Sequence, residues 1–428
     1  MQTRYCLILY KIFFVLKTLL ILSIYCVIFL IFEVYAFQAL KTLVKNKTFL
    51  TIYKIISAVL FVIILFYLSK FDRRLGMTRT NMYTMGALLL VFVPKIVVTF
   101  FMLSEDIVRI LTGIVNFFIN SDDKAAFLPS RRKFVSQIGL GLAAVPFLSL
   151  IYGITIGRYN FKVIKQRLFF PDLPDEFDGF TITQISDVHS GSFDNPEKIN
   201  YAIDLVNEQN SDLILFTGDI VNNKAEEMHP WIDVFNRIEK HKYGKFAVLG
   251  NHDYGEYIDF PSTQAKEENF VAIKKLYGQI GFDLLLNEHK YIQKGNDKLA
   301  LVGVENWGKG FRQAGDLNKA AQHLSEDDFK ILMSHDPSHW ENEVKNHPKH
   351  FQLTLSGHTH GMQFGIEIPG VLKWSLAQFA YKQWAGLYEN LGRYVYVNRG
   401  FGFHAFPGRV GIMPEITVIE LKKGQNVA

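Results

Sequence analysis

The chain has 428 residues, 49% hydrophobic and 20% charged, enough for two or three domains. Its net charge of +5 is unevenly spread: residues 1–165 hold 20 Lys and Arg against 6 Asp and Glu, leaving 26 against 35 beyond. An acidic second part with no basic stripe excludes a nucleic-acid footprint. Cys6 and Cys26 both lie in the apolar first part, so disulfides and thiolate metal sites are excluded from the second.

Apolar stretches at 18–37, 50–69 and 82–103 each run about 20 residues, the length that crosses a hydrocarbon core. A fourth, 138–156, is as long but richer in Gly and Ala. Glu33, Lys54 and Lys95 fall within spans, where such groups sit near helix ends or face other helices. Pro94 predicts a kink in the third span. The stretch 104–123 is too charged for a fifth span and reads as an amphipathic or re-entrant helix at the interface.

SRRKF at 130–134, followed by an apolar, small-residue-rich segment, reads either as a twin-arginine export signal or as a basic cluster at the cytoplasmic leaflet. Both readings put 124–133 in the cytoplasm and carry the second part outside through the fourth span. Arg158, Lys162, Lys165 and Arg167 pull the other way. The expected placement is a multi-pass cell-membrane protein with its second part extracytoplasmic. Anchoring is the simpler role for the spans than transport, because few charges lie inside them.

Beyond 165 the pattern changes to short apolar runs alternating with amphipathic segments, an α/β or layered αββα pattern. The expected domains are therefore a membrane region, 1–165, and a second domain, 166–428. Polar residues follow the β-like runs at five stations: Asp187 and His189, then Asp219, then Asn251, His252 and Asp253, then His335, and last His358 and His360. An α/β sheet delivers side chains in such positions to a shared rim. Imidazole and carboxylate without thiolate suit Mn²⁺, Fe or Zn²⁺. Seven donors exceed the need of one ion with an open position, and fit two ions sharing a carboxylate.

In that order, D-x-H, G-D, G-N-H-D, a later H and G-H-x-H resemble the calcineurin-like metallophosphoesterase superfamily, over roughly 180–421. GHTHGMQ, YVNRGFG and the closing Pro407, Arg409 and PEI narrow the likeness to a membrane-anchored or exported bacterial branch, with Met362 where relatives commonly carry Gly. The resemblance implies a four-layer αββα sandwich after the helical transmembrane region. It also implies a binuclear hydrolase acting by a hydroxide bridging two divalent ions, Mn²⁺ first, then Fe, Zn²⁺ or Mg²⁺, and the membrane region favours a phosphodiester or pyrophosphate bond over a small monoester. By motif, Asp187, His189 and His360 would hold one metal, Asn251, His335 and His358 the other, and Asp219 would bridge. His252 would serve as general acid or charge stabiliser, with Asp253 as its orienting partner or as a cap.

Arg399 is a candidate for bidentate phosphate binding, or for a structural ion pair. His339, His347, His350 and His404 read as solvated or core residues, with His404 the one worth testing. Trp307, Trp374, Phe379 and Trp384 read as core, substrate groove or membrane interface, and 254–275 as a lid or a surface excursion. By analogy with relatives that cleave lipid-linked pyrophosphates, the membrane region suggests a lipid-linked phosphorylated substrate. The alternative is a non-catalytic phosphate-ligand-binding or regulatory membrane protein that keeps the fold. Such relatives usually lose ligands, and here all seven and His252 are present.

Overall fold

A computed structural model describes residues 2–118, 129–368 and 370–425. Contacts divide them into two units, one of residues 1–70 and 86–151, the other of residues 71–85 and 152–428. The division expected after residue 165 falls inside the first strand of the second unit, and the short stretch 71–85 belongs to that unit as well.

Four helices carry the apolar stretches: α1 (Gln2–Leu43), α2 (Lys47–Ser69), α3 (Arg79–Phe118) and α4 (Pro129–Thr155). Each holds a segment long and apolar enough to cross a membrane, and most large apolar side chains along them are exposed, as a lipid solvent requires. The part of the expected interfacial helix within the described residues, 104–118, continues α3 without a break. Its remainder, 119–123, lies outside the described residues.

Polar groups tie these helices together. Lys95 Nζ donates to Glu33 Oε2 at 2.6 Å and to Ser57 Oγ at 2.7 Å, and Ser57 Oγ donates to the same carboxylate oxygen at 2.6 Å. Two of the three charges in the spans, Glu33 and Lys95, thus neutralise each other, with Ser57 of α2 joining them. Arg131 and Arg132, the pair in SRRKF, bond Glu105 at 3.0 and 2.6 Å, and Arg132 also reaches Asp106 and Gln38.

In the second unit, one six-stranded sheet takes β1 (Lys162–Phe170), β14 (Glu415–Lys423), β2 (Thr181–Ile185), β3 (Leu213–Phe216), β4 (Lys245–Ala247) and β5 (Asp283–Leu284), in that spatial order. Its pairs are parallel except β14 with β2. The other takes β12 (Gly386–Asn390), β13 (Arg393–Val397), β9 (Leu353–Ser356), β8 (Lys330–Met333), β7 (Asp297–Gly303) and β6 (Glu288–Lys294), parallel in its middle and antiparallel at both edges. A separate hairpin joins β10 (Gly365–Ile368) to β11 (Leu372–Ser375).

Side-chain alternation builds the layers. In β3, Leu213 and Leu215 pack into the core between the sheets, while Ile214 and Phe216 face helices α5 (Pro196–Asn207) and α7 (Thr263–Gln279), with the single turn α6 (Ile232–Phe235) beside them. In β8, Ile331 and Met333 face the same inter-sheet core and Leu332 faces α8 (Leu317–Ala320) and α9 (Pro337–Asn342), where Trp340 is buried. Both faces of β3 are apolar, as helix-covered parallel sheets demand, whereas β2 and β9 also bury polar side chains, Gln184, Thr354 and Ser356 among them. The result is the expected αββα sandwich.

Beyond β3, the Glu227 carboxylate accepts the backbone N–H groups of Asn222 at 2.5 Å, Asn223 at 3.2 Å and Lys224 at 3.1 Å. Burial pushes this carboxyl up to about 7 in spite of those donors. A glutamate in the unfolded chain titrates near 4.3, roughly, so between these values the folded state keeps a proton that the unfolded state has lost. Stability from this group is therefore full at low pH and declines as pH rises from about 4 toward 7. Thermal unfolding of the detergent-solubilised chain across this window should show the decline, and Glu227→Gln should flatten it. Identical slopes in the two proteins would exclude the account. In the helical unit, Lys95→Met should lower stability by roughly 3 kcal/mol by stranding Glu33, and the double variant with Glu33→Gln should recover much of it. Strict additivity of the two changes would disprove the coupling.

Candidate metal centre

Parallel strands from both sheets end at one rim. β2 delivers Asp187 and His189, β3 delivers Asp219, β4 delivers Asn251 and His252, β8 delivers His335, and β9 delivers His358 and His360. To turn side chains inward immediately after a strand, the backbone adopts the left-handed region at Asp187, His189, Asp219, His358 and His360, with φ between 48° and 72°. Each such residue costs of order 1–3 kcal/mol, and clusters of them mark functional sites. Close approach of the loops requires Gly357 and Gly250. A Cβ on Gly357 would stand 2.2 Å from Asp187 Oδ2, and one on Gly250 would stand 2.2 Å from Asp219 Oδ1.

The structure brings eight of the nine predicted site residues together. Three overlapping groups have ligand atoms within 4.8 Å of one another: Asp187, His189 and His360; His189, Asp219 and His252; Asp219, His335 and His358. Asn251 Oδ1 joins them, 3.1 Å from His335 Nε2 and 2.7 Å from His358 Nδ1. His189 and Asp219 each lie in two of the groups.

Neighbouring groups aim the rings. His335 Nδ1 donates to the Thr217 carbonyl at 2.6 Å, which leaves Nε2 facing Asp219 Oδ2 at 3.1 Å. His358 Nε2 meets the Tyr381 hydroxyl at 2.7 Å, so Nδ1 turns toward Asn251. His360 Nδ1 accepts from Arg409 Nη2 at 2.8 Å, and because a guanidinium only donates, the ring's proton sits on Nε2, 3.2 Å from Asp187 Oδ1.

Burial pushes His189 well below its ordinary range, with the rings of His252, His404 and His360 adding to the effect; it also lowers His358 and His360. Burial would lower His335 too, but Asp219 and Asp187 outweigh it and raise the ring to about 10. Burial would raise Asp187, yet His360 and His335 hold it below the carboxylate range.

This donor set fits divalent metal ions. It offers only nitrogen and oxygen, its imidazoles are mostly held neutral, and His189 Nε2 and His360 Nε2 converge to 3.0 Å. His189 Nδ1 is buried without a hydrogen-bond partner. Because protons compete for His335 Nε2 and His360 Nε2, metal affinity must rise with pH.

Arg399 is the predicted residue that does not join. Its guanidinium bonds Glu415 at 2.5 Å and Glu367 at 2.5 and 2.9 Å. Glu415 is fully buried and requires a counter-charge, so the ion-pair alternative describes this arginine. Asp253 does not orient His252 either: it accepts backbone N–H groups of Gly250, Asp219 and Ile220 and the Tyr277 hydroxyl, at 2.8 to 3.0 Å. Burial, reinforced by Asp219, pushes its carboxyl up to about 7. His252 is oriented instead by the Asn222 carbonyl, 2.7 Å from Nδ1.

Sequence reasoning missed Asn222, which also bonds His404 Nδ1 at 3.0 Å through its side chain, and gave Arg409 only as part of a motif. His404 is no solvated bystander, since its ring stacks 4.9 Å from His189. The rim opens into a cavity of about 530 Å³ whose wall includes Phe71, Met77, Phe311, Met362 and Phe406 beside the polar cluster. Tyr257, in the segment expected to be a lid or excursion, lines it, and from Thr263 that segment is helix α7.

Residues 16–158 match the family described as probable calcineurin-like phosphoesterase, transmembrane domain, and 180–362 match calcineurin-like phosphoesterase. The uncharacterized metallophosphoesterase YkuE of Bacillus subtilis is 31% identical over 300 residues, covering 68% of this chain and 98% of that protein. A transmembrane protein with metallophosphoesterase domain from Danio rerio is 26% identical, covering 64% of this chain and 60% of that protein. Among solved structures, the 5'-nucleotidase precursor of Thermus thermophilus matches with a TM-score of 0.34 and 12% identity, over 57% of this chain and 54% of that one. On the sequence matches, the chain is a multi-pass membrane protein that belongs to the calcineurin-like metallophosphoesterase family.

Proposed function

We propose that this protein hydrolyses a phosphodiester or pyrophosphate bond with the help of two divalent metal ions, Mn²⁺ foremost. The observation that carries the proposal is the set of seven oxygen and nitrogen donors in three groups chained through His189 and Asp219, with His252 in the middle one. Asp187, His189 and His360 would hold one ion, Asn251, His335 and His358 the other, and Asp219 both. Bound ions would supply Lewis-acid charge and an acidified water. His252, its Nδ1 fixed on Asn222, has Nε2 free to protonate the leaving oxygen. Asn251 is held by Tyr257, which accepts its Nδ2–H at 2.7 Å.

A lipid-linked substrate is the preferred class. The support is the apolar wall of Phe71, Met77, Phe311, Met362 and Phe406 next to the polar cluster, a surface suited to an acyl or prenyl neighbour of the phosphate. The domain assignment proposed with it is the expected membrane region, 1–165, anchoring a catalytic domain, 166–428, with the boundary moved ahead of β1 and 71–85 counted with the catalytic domain. Four crossings would put 71–78 and everything after α4 on the same side of the membrane, which accords with a second unit built from 71–85 and 152–428. We assign that side as extracytoplasmic, with Lys41, Lys45, Lys47 and Arg131–Lys133 on the cytoplasmic side. The engagement of both arginines in ion pairs supports the juxtamembrane reading of SRRKF over the export signal.

Metal analysis of the purified full chain, with a panel of p-nitrophenyl phosphodiesters and lipid-linked pyrophosphates, tests the chemistry. His252→Ala should retain its metal and lose roughly 10²–10⁴-fold in turnover. Asn251→Ala should lose metal and activity together. Lipid turnover no higher than in Asn251→Ala would sink the lipid-linked version while leaving the diesterase open. For the side of the membrane, protease added to spheroplasts should cleave the second unit; protection until lysis would reverse the orientation.

A further inference from the structure

The β10–β11 hairpin presents its faces the wrong way round for a soluble surface. Its register sets Ile366 opposite Trp374 and Ile368 opposite Leu372 on one face, with Glu367 opposite Lys373 on the other. A hairpin at a domain surface ordinarily turns its apolar face to the core. Here the polar face is the anchored one. Glu367 grips the guanidinium of Arg399, which in turn is bound to buried Glu415, and Lys373 donates to the Ala385 carbonyl with its Nζ 4.9 Å over the Trp384 ring.

The apolar face is left exposed. Val371 at the turn is 79% exposed and Phe379 just beyond β11 is 78% exposed, with Ile366, Ile368, Leu372, Trp374 and Leu376 also open. Among the described residues, 362–379 holds eight exposed large apolar side chains, whereas the eleven-fold longer stretch 160–361 holds four, three of them tyrosines. A one-residue slip in pairing would bury this face, and the Arg399 ion pairs forbid it. A buried network that keeps an apolar face outward specifies an interaction surface.

Two observations identify what covers it. The face is aliphatic with one tryptophan and one phenylalanine, and Glu367 and Lys373 lie on the opposite face, the composition of a membrane-interface element rather than of a protein interface, whose rim is polar. The patch also runs through Met362 into the cavity wall, which Phe71 and Met77 share, and Phe71 follows the last residue of α2 by two positions. We propose that the β10–β11 hairpin, with Val371, Leu376 and Phe379, docks into the lipid bilayer that holds α1–α4. The hairpin then seats the cavity mouth at the headgroup layer. This docking requires the membrane spans but no particular hydrolytic reaction.

The full chain is reconstituted in liposomes of phosphatidylcholine and phosphatidylglycerol containing a phospholipid with a diazirine on its acyl chain. Irradiation and peptide mass spectrometry then locate the adducts. The expected result is adducts on 366–379 as well as on the spans, with loss of the former to background in the Val371→Asp/Phe379→Asp variant while α1–α4 label as before. The wild-type map decides the matter even if that variant misfolds. Labelled spans with an unlabelled 366–379 overturn the proposal, and so does zero-length cross-linking of this stretch to a second copy of the chain. Metal content measured on the same samples reports on the metal centre separately, so failure of the docking is distinguishable from failure of the hydrolase reading.

Discussion

The carboxylate of Asp187, at the end of β2 in one sheet, accepts the backbone N–H of His358, at the end of β9 in the other, with both oxygens at 3.0 Å. Around this seam, Gln184 donates to the Ser356 carbonyl at 2.9 Å, and His335 donates to Thr217. Phe401 and Gly402 donate their backbone N–H groups to Ser186 and Asp187. Two sheets packed face to face slide easily on apolar side chains alone, because that contact has no direction. Directional bonds at the rim fix the slide, and so fix every ligand distance in the metal centre. The same residue is thus a metal-ligand candidate and the clasp of the sandwich.

That double role explains what could be read from the sequence. The strand-end stations were legible because apolar runs of four or five residues end abruptly in Asp, His or Asn, and the period-2 pattern fixes where strands stop. The layer order was legible for the same reason, since runs such as LILF and KILM are apolar on both faces. Partners across long sequence distances were not. Nothing local in VNRGFG says that Arg399 meets Glu367 and Glu415, and nothing near GNHD says that the Asp253 side chain will bond the backbone at Asp219 and Ile220. Asn222 was invisible because it acts on His252 through its backbone carbonyl, which every residue possesses.

In the membrane region, hydropathy located the four spans but not their continuations. Residues 104–118 remain helical because charges such as Asp106 and Arg109 pair one turn apart, at 2.9 Å, and leave the backbone ladder intact. No motif marks 71–81, and 82–85 begin the third apolar stretch, yet all of 71–85 belongs to the second unit. Its packing with the second unit rests on tertiary contacts such as Arg158 and Tyr159 around Asp194, which Tyr83 also bonds, at 2.5 Å. Chain order gave no sign of this.

The position of β14 has a consequence for how the molecule comes into being. This strand lies between β1 and β2, parallel to one and antiparallel to the other, yet it is synthesised some 230 residues after β2. Until residues 415–423 leave the ribosome, β1 has no neighbour and β2 has a bare edge. Phe71 and Met77 must wait longer still for the cavity they line. The second unit therefore cannot close progressively as it is made, and its nascent form is a set of open edges beside a membrane, where unpaired strands are prone to mispairing. Early insertion of α1–α4 holds that unfinished chain at one place, and so shortens the search that the last strand has to complete.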